Sequence, residues 1–385
     1  MAVRSCSLDT LAIHAAQEPD PSHAAVMQPI VLSSTFAQAE PGKPKRFEYS
    51  RSGNPTREAL EAPRRPRRRP AWVRLRERQR RHADALAHAV PGDHVVCGDD
   101  VYGGTFRLFD KVMKPMNITT TFVDMRDPSR VSAAIGDKTR LVWLETPTNP
   151  LLKLFDIEKV AAIAKARSLP LVVDNTFASP VLQRPLELGA TVVMHSTTKY
   201  INGHSDVVGG ALVTSDDALG ERIAFLQNAI GAVPSPMDCY LVLRGLKTLP
   251  VRMRQHVKSA SELARRLTEE KQVRVVHYPG LASHPDHALC QKQMAAGGGM
   301  ISLELEGGVD ESRRFLSALR VFTLAESLGG VESLAEHPAI MTHASIPPEV
   351  RRAVGISDSL VRLSVGLEDV EDLWNDLKTG LEAMR

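Results

Sequence analysis

A chain of 385 residues, 43% hydrophobic and with a formal net charge of +3, can bury a large core and is long enough for more than one domain. No stretch approaches the roughly 18 apolar residues of a spanning helix, and the opening Met1-Ala-Val-Arg-Ser5 lacks the apolar core of a leader, so the expectation is a cytoplasmic protein with no membrane partner. Cys6, Cys97, Cys239 and Cys290 lack metal-ligand spacing and are too few for a disulfide framework, which fits a reducing compartment and buried or incidental thiols.

Up to about residue 60 periodicity is weak and turn formers are frequent; the informative stretch is Phe47-Glu-Tyr-Ser-Arg-Ser-Gly-Asn-Pro-Thr-Arg57. Tyr49 and Arg51 are two apart, so in an extended segment both side chains face the same way. A turn with a solvated arginine is the alternative. From Arg57 a helical pattern begins, then runs into residues 63–83, where ten arginines stand against one glutamate in a chain whose total is only +3. Three prolines among the first eight of these positions forbid a helix there. A basic run of this kind also suits nucleic acid, which makes a cofactor-free nucleic-acid binder the reading from a different class.

From Asp84 the pattern recovers: residues 85–90 finish a helix, Pro91-Gly-Asp93 turns the chain and residues 94–97 form a strand. In Asp99-Asp-Val-Tyr-Gly-Gly-Thr105, Tyr102 sits before paired glycines, on a loop where backbone can approach a ligand; a core tyrosine is the alternative. Strands follow at 118–123 and 141–144 with a helical stretch near 131–135 between them, and the second strand ends in Glu145-Thr-Pro-Thr-Asn-Pro150. A helix over 157–166 leads to Leu169-Pro-Leu-Val-Val-Asp174, and one over 185–188 leads to the strand Thr191-Val-Val-Met194, with a returning strand at 209–214. Strands alternating with helices mean an α/β fold with a mostly parallel, doubly wound sheet, in which ligands lie outside the carboxyl ends of the strands.

Two of those strand ends carry the chemistry. The strand at 191–194 delivers Ser196, Thr198 and Lys199 into a glycine-containing loop, Ile201-Asn-Gly-His-Ser-Asp206. A lysine desolvated there favours its neutral amine and becomes a nucleophile toward a carbonyl, the chemistry of a Schiff-base lysine; an ordinary solvated loop residue is the alternative. Asp174 closes an apolar run and can hold a protonated ring nitrogen, or else cap a helix through Asn175 and Thr176. A carboxylate for a pyridinium, an amine for an aldehyde and two hydroxyls for a phosphate together describe pyridoxal 5'-phosphate (PLP).

Beyond residue 225 a helical region is expected from about 239 to 267, broken or kinked at Pro250, and its basic residues Arg252, Arg254 and Lys258 form a solvated face. A smaller C-terminal α/β domain then shows strands at 273–277 and 300–305 and a helix at 311–318. His277, His284 and His287 lack partnering carboxylates or thiols at ligand spacing, so they read as surface histidines, with no metal. Arg362 alternates out of the short apolar strand Leu360-Val-Arg-Leu-Ser364; a bidentate fork suits an α-carboxylate, although an edge-strand arginine more often makes a surface ion pair.

Asp174 taken with Ser196-Thr-Thr-Lys-Tyr-Ile-Asn-Gly-His-Ser-Asp206 resembles the trans-sulfuration group of PLP enzymes, among them cystathionine γ-lyase, cystathionine γ-synthase and methionine γ-lyase. The resemblance runs from Leu11 to the end, with a gap at 63–83. It implies PLP-dependent transferase fold type I, with an arm at 1–55 reaching the neighbouring subunit, a PLP-binding domain at 56–250 and a small domain at 251–385. It implies that Tyr49 and Arg51 reach the cofactor phosphate across a dimer interface, that Tyr102 stacks on the ring and assists proton transfer, and that Asn149 contacts ring and substrate. It further implies that Arg362 holds the substrate carboxylate beside Ser327, with Glu326 near the distal end, in a homotetramer of cofactor-sharing dimers. Gly231-Ala-Val-Pro-Ser-Pro236, Asp238-Cys-Tyr240 and Glu336-His-Pro-Ala-Ile-Met-Thr-His-Ala-Ser345 look most like cystathionine γ-lyases, with cystathionine γ-synthase as the runner-up and no nucleic acid as partner.

In that family the interval 63–83 holds a helix ending in two glycines, a strand, and a Ser-Gly-x-Ala-Ala turn whose amides cradle the phosphate. Here the length is kept and the composition is not. Arginine and proline codons read one base later can encode alanine, glycine, aspartate and leucine, so the shift permits Leu-Ala-Ala-Leu-Asp-Gly-Gly over 63–69 and Phe-Ala-Phe-Ala-Ser-Gly-Ser-Ala-Ala-Thr over 73–82. The segment therefore reads as a pair of compensating frameshifts bounded near Ala62 and Asp84. A polypeptide that truly carries Arg78 and Gln79 at that turn is expected to retain PLP weakly.

Overall fold

Why each strand forms is legible in its composition: Val95-Val-Cys97, Leu141-Val-Trp-Leu144, Leu171-Val-Val173 and Val192-Val-Met194 are β-branched or apolar runs, and all are buried. The computed structural model describes residues 6–15, 17–20, 22–61, 90–344 and 346–384, and the backbone of 72–76. All but Val90 of the helix expected over 85–90, and the turn at Arg78 and Gln79, lie outside the described residues. In chain order the strands are β1 (Gln38–Glu40), β2 (Lys43–Pro44), β3 (Trp72–Arg76), β4 (His94–Gly98), β5 (Thr119–Val123), β6 (Thr139–Glu145) and β7 (Leu171–Asp174). After them come β8 (Val192–Ser196), β9 (Gly210–Thr214), β10 (Val273–His277), β11 (Met300–Leu305), β12 (Thr323–Leu324), β13 (Leu334–Glu336) and β14 (Leu360–Ser364).

The chain forms two compact units, Met1–His88 with Thr191–Pro250, and Ala89–Ala190 with Val251–Arg385. In the first unit β9 lies between β3 and β8 and is antiparallel to both. Helix Asp217–Ile230 starts where the Asp216 carboxylate accepts from the Leu219 amide and stops at Gly231, whose φ of 75° ends the helix at little cost. The helical region expected from 239 is two helices, Pro236–Leu246 and Leu249–Leu267. The break falls just before Pro250, which then occupies a first turn, where its missing N–H is no loss.

In the second unit four parallel strands run in the order β7, β6, β4, β5, so their carboxyl ends share one edge. A second sheet runs β10, β11, β14, β13, β12. Alternation along its strands sorts two faces: Ile301, Leu303, Leu305, Val361, Leu363 and Val365 join one core with Leu263, Leu267, Phe315, Leu373 and Leu377 from the helices. Arg362 and Ser302, paired across β14 and β11, point the other way. Arg362 is thus not on an edge strand, since β14 is hydrogen-bonded on both sides and the residue is 2% exposed.

The histidines also depart from expectation. His284 is buried, its Nδ1 accepting from the Asp286 amide, and half-buried His277 pairs with Glu304 at 3.0 Å. Glu304 stands on β11 beside β10, and such cross-strand neighbours are not visible in sequence spacing. Cys97, Cys239 and Cys290 are buried free thiols. No metal-binding cluster and no helix long and apolar enough to cross a membrane occur among the described residues.

Candidate active site

In the first unit, β8 is buried along its whole length and hands over directly to the tight helical turn Thr197–Ile201. The turn is tied down at both ends: the Thr197 amide donates to the Gly209 carbonyl at 3.0 Å and the Gly203 amide to the Lys199 carbonyl at 2.8 Å. Thr198 Oγ1 donates to the Gly209 carbonyl and accepts from its amide. A Cβ at Gly209 would stand 2.5 Å from Thr197 Oγ1, so any larger residue there would displace that side chain. Lys199 leaves helical geometry, with φ −94° and ψ −138°, and is 2% exposed, so it is no solvated loop residue. Ser196, at the end of the strand, is buried as well.

Tyr49 and Arg51 belong to the same unit but not to an extended segment. The amides of Ser52 and Gly53 both donate to the Tyr49 carbonyl, closing a turn that places the Arg51 guanidinium 5.5 Å from the Tyr49 ring. Both side chains are exposed. Turn formation by Ser52-Gly53-Asn54 outweighed the two-residue alternation expected from spacing.

In the second unit the shared strand edge gathers the other candidates. Glu145, the last residue of β6, sits in register with Asp174, the last of β7. Buried Asp174 accepts at Oδ1 from the amide and hydroxyl of Thr176, so the local turn and the strand end use the same carboxylate. Glu145 accepts from the Tyr102 amide at 2.9 Å and so fixes the loop that follows β4. After β6 the chain passes through two cis peptides, Thr146–Pro147 and Asn149–Pro150, around buried Asn149. Thr148 between them donates to Asp100, whose carboxyl is pushed up to about 6 by burial.

Asn149 meets Arg362 here. Arg362 Nη1 donates to Asn149 Oδ1 at 2.7 Å and Nη2 to the Ser327 carbonyl at 2.8 Å. Ser327 holds a φ of 94°, a conformation costly for a residue with a side chain, and Glu326 beside it is exposed. Glu336, to which sequence alone gave no individual role, lies opposite Arg362 in the β13–β14 register and pairs with it at 2.9 Å, both side chains essentially buried. Glu145, Thr342 and His343 likewise carried no individual role from sequence. Glu145 was detectable as a polar residue ending an apolar strand; the others depend on cross-strand register and loop packing.

Comparisons with known proteins agree with this architecture. The family model described as Cys/Met metabolism PLP-dependent enzyme matches residues 9–382. The chain is 50% identical to cystathionine beta-lyase of Coxiella burnetii, over 97% of each chain, and 52% identical to cystathionine gamma-synthase of Mycobacterium bovis, over 97% of this chain and 96% of that one. Among solved structures it resembles cystathionine gamma-lyase from Lactobacillus plantarum complexed with L-serine, with a TM-score of 0.94 and 43% identity over 98% of this chain and 99% of that chain.

Proposed function

The chain belongs to the Cys/Met metabolism family of PLP-dependent enzymes, with fold type I and PLP as its cofactor, and we propose that it cleaves L-cystathionine by γ-elimination to cysteine, 2-oxobutanoate and ammonia. Taken singly, the residues suit the group: Lys199 offers a buried amine, Asp174 a buried carboxylate, and Ser196 and Thr198 hydroxyls, the chemical types PLP requires. PLP, when bound, supplies an electron sink for the pair left on carbon when a proton departs.

In this reading Lys199 holds the cofactor aldehyde and, once released, its Nζ takes the proton from the substrate Cα. Asp174 keeps the ring nitrogen protonated, and Tyr102 stacks on the ring and assists proton transfer. Ser196 and Thr198 serve the phosphate, joined by Tyr49 and Arg51 from a neighbouring subunit. Arg362 and Asn149 grip the α-carboxylate beside Ser327, and Glu326 faces the distal end of the substrate. The observation that carries the reading is the buried Arg362 fork on Asn149 and Ser327, an orientation suited to an amino-acid carboxylate.

The choice of γ-lyase rests on residues 231–240 and 336–345; a γ-synthase is the second reading, favoured by the M. bovis relative, with methionine γ-lyase behind it. Supplying cystathionine and measuring 2-oxobutanoate tests the first choice. Pyruvate with homocysteine would instead mark β-elimination, as in the Coxiella relative's name, and cystathionine formed from O-succinylhomoserine plus cysteine would mark the synthase. The wider proposal is a cytoplasmic homotetramer whose chain divides into an arm at 1–55, a PLP domain at 56–250 and a small domain at 251–385.

A further inference from the structure

Arg362 and Glu336 form a buried ion pair, and such a pair compensates its desolvation cost only where further hydrogen bonds hold it in place. Here those bonds are specific. Thr342 Oγ1 donates to Glu336 Oε1 at 2.8 Å and lies 2.9 Å from His343 Nδ1. His343 Nε2 lies 3.2 Å from the Asn149 carbonyl, and burial with the nearby Arg362 charge pushes its pKa down to about 4, so it is neutral at pH 7. The Thr342 carbonyl in turn packs on Gly103, where a Cβ would stand 2.6 Å from it, next to Tyr102. One short loop, residues 337–343, thus joins the arginine, its counter-ion, the Asn149 turn and the Tyr102 loop.

We propose that Glu336 and Thr342 are positioning residues that set the Arg362 fork against Asn149 and Ser327 before a substrate α-carboxylate arrives, a role that rests on the reading of Arg362 as the carboxylate ligand. Glu336 offsets the guanidinium charge, so carboxylate binding depends on how the remaining donors are aimed rather than on net charge. Thr342 fixes which way the Glu336 carboxylate faces.

Steady-state kinetics of the PLP-loaded enzyme on cystathionine, with glycine binding and thermal melting of each variant, decide the matter. Thr342→Val should raise KM about tenfold and weaken glycine binding equally while kcat stays within about threefold, and Thr342→Ser should return KM to within about twofold. Glu336→Gln should raise KM at least as much, and Arg362→Lys about a hundredfold. If Arg362→Lys leaves KM unchanged, the carboxylate reading of Arg362 fails and this inference with it. If Arg362→Lys raises KM but Thr342→Val and Glu336→Gln keep the parental value, only the inference is overturned. A Thr342→Val enzyme whose kcat and melting temperature fall together at constant KM would assign the loop a structural role and also overturn it; should Glu336→Gln not fold, the Thr342 pair decides alone.

Discussion

Lys199 combines near-complete burial with a backbone conformation unlike that of the turn around it, and an amine held that way is suited to carbonyl and proton chemistry. Replacing Lys199 by alanine should lower cystathionine turnover by about 10³-fold or more, read by steady-state kinetics. Thr148 makes a different kind of contribution. Its hydroxyl donates to Asp100, and its amide and carbonyl are taken by Lys153 and Leu152, which shapes the turn that presents Asn149. Thr148→Val leaves that buried carboxyl without its hydroxyl partner and should cost about 1–3 kcal/mol of stability, read by chemical denaturation.

Among the elements, the turn after β8 is closely packed by its neighbours. Gly245, in helix Pro236–Leu246, lies so close to the Asn202 carbonyl that an added Cβ would overlap it. Gly245→Ala should therefore cost about 1–3 kcal/mol and displace the turn that carries Lys199, lowering kcat more than a distant substitution of equal stability cost. A parental kcat in that variant would show that the turn tolerates displacement. β3 raises a separate question, because a strand antiparallel to β9 runs through the arginine-rich interval as the family pattern calls for. Sequencing the DNA over codons 60–86 tests the frameshift: the idea is dead if the shifted reading lacks an Ala-Ser-Gly-x-Ala-Ala string. If the arginines are real, the purified enzyme should show weak yellow absorbance, with PLP lost on dialysis.

For the molecule as a whole, buried histidines set the acid limit. Burial pushes His256, His284 and His343 down to about 4, so each is neutral when folded and gains a proton near 6.5 only when unfolded. The unfolded chain therefore binds more protons between about pH 6.5 and 4; the stability these groups confer is full above that window and lost as pH falls through it. Asp100 acts oppositely, since its raised pKa makes the folded chain bind the proton between 3.8 and about 6, so its contribution weakens as pH rises. Burial also raises Asp99 and lowers His94 and His337, so the balance stays with the histidines. Denaturation free energy measured across this range should fall toward pH 4, and a flat profile between pH 6.5 and 4.5 would contradict it.

Much of this protein could be read from its sequence because local chemistry repeats locally. Apolar runs ending in Asp174 and Ser196 marked the strand ends, Pro250 marked the break between two helices, and one eleven-residue motif pointed to the family that the comparisons show. Tertiary structure alone decided what depends on residues distant in sequence. It buried His284, placed β14 inside its sheet rather than at an edge, and set Glu336 across from Arg362. Strand register and loop packing are long-range properties, and a side chain's counter-ion is chosen by which strand lies beside it, not by which residue precedes it.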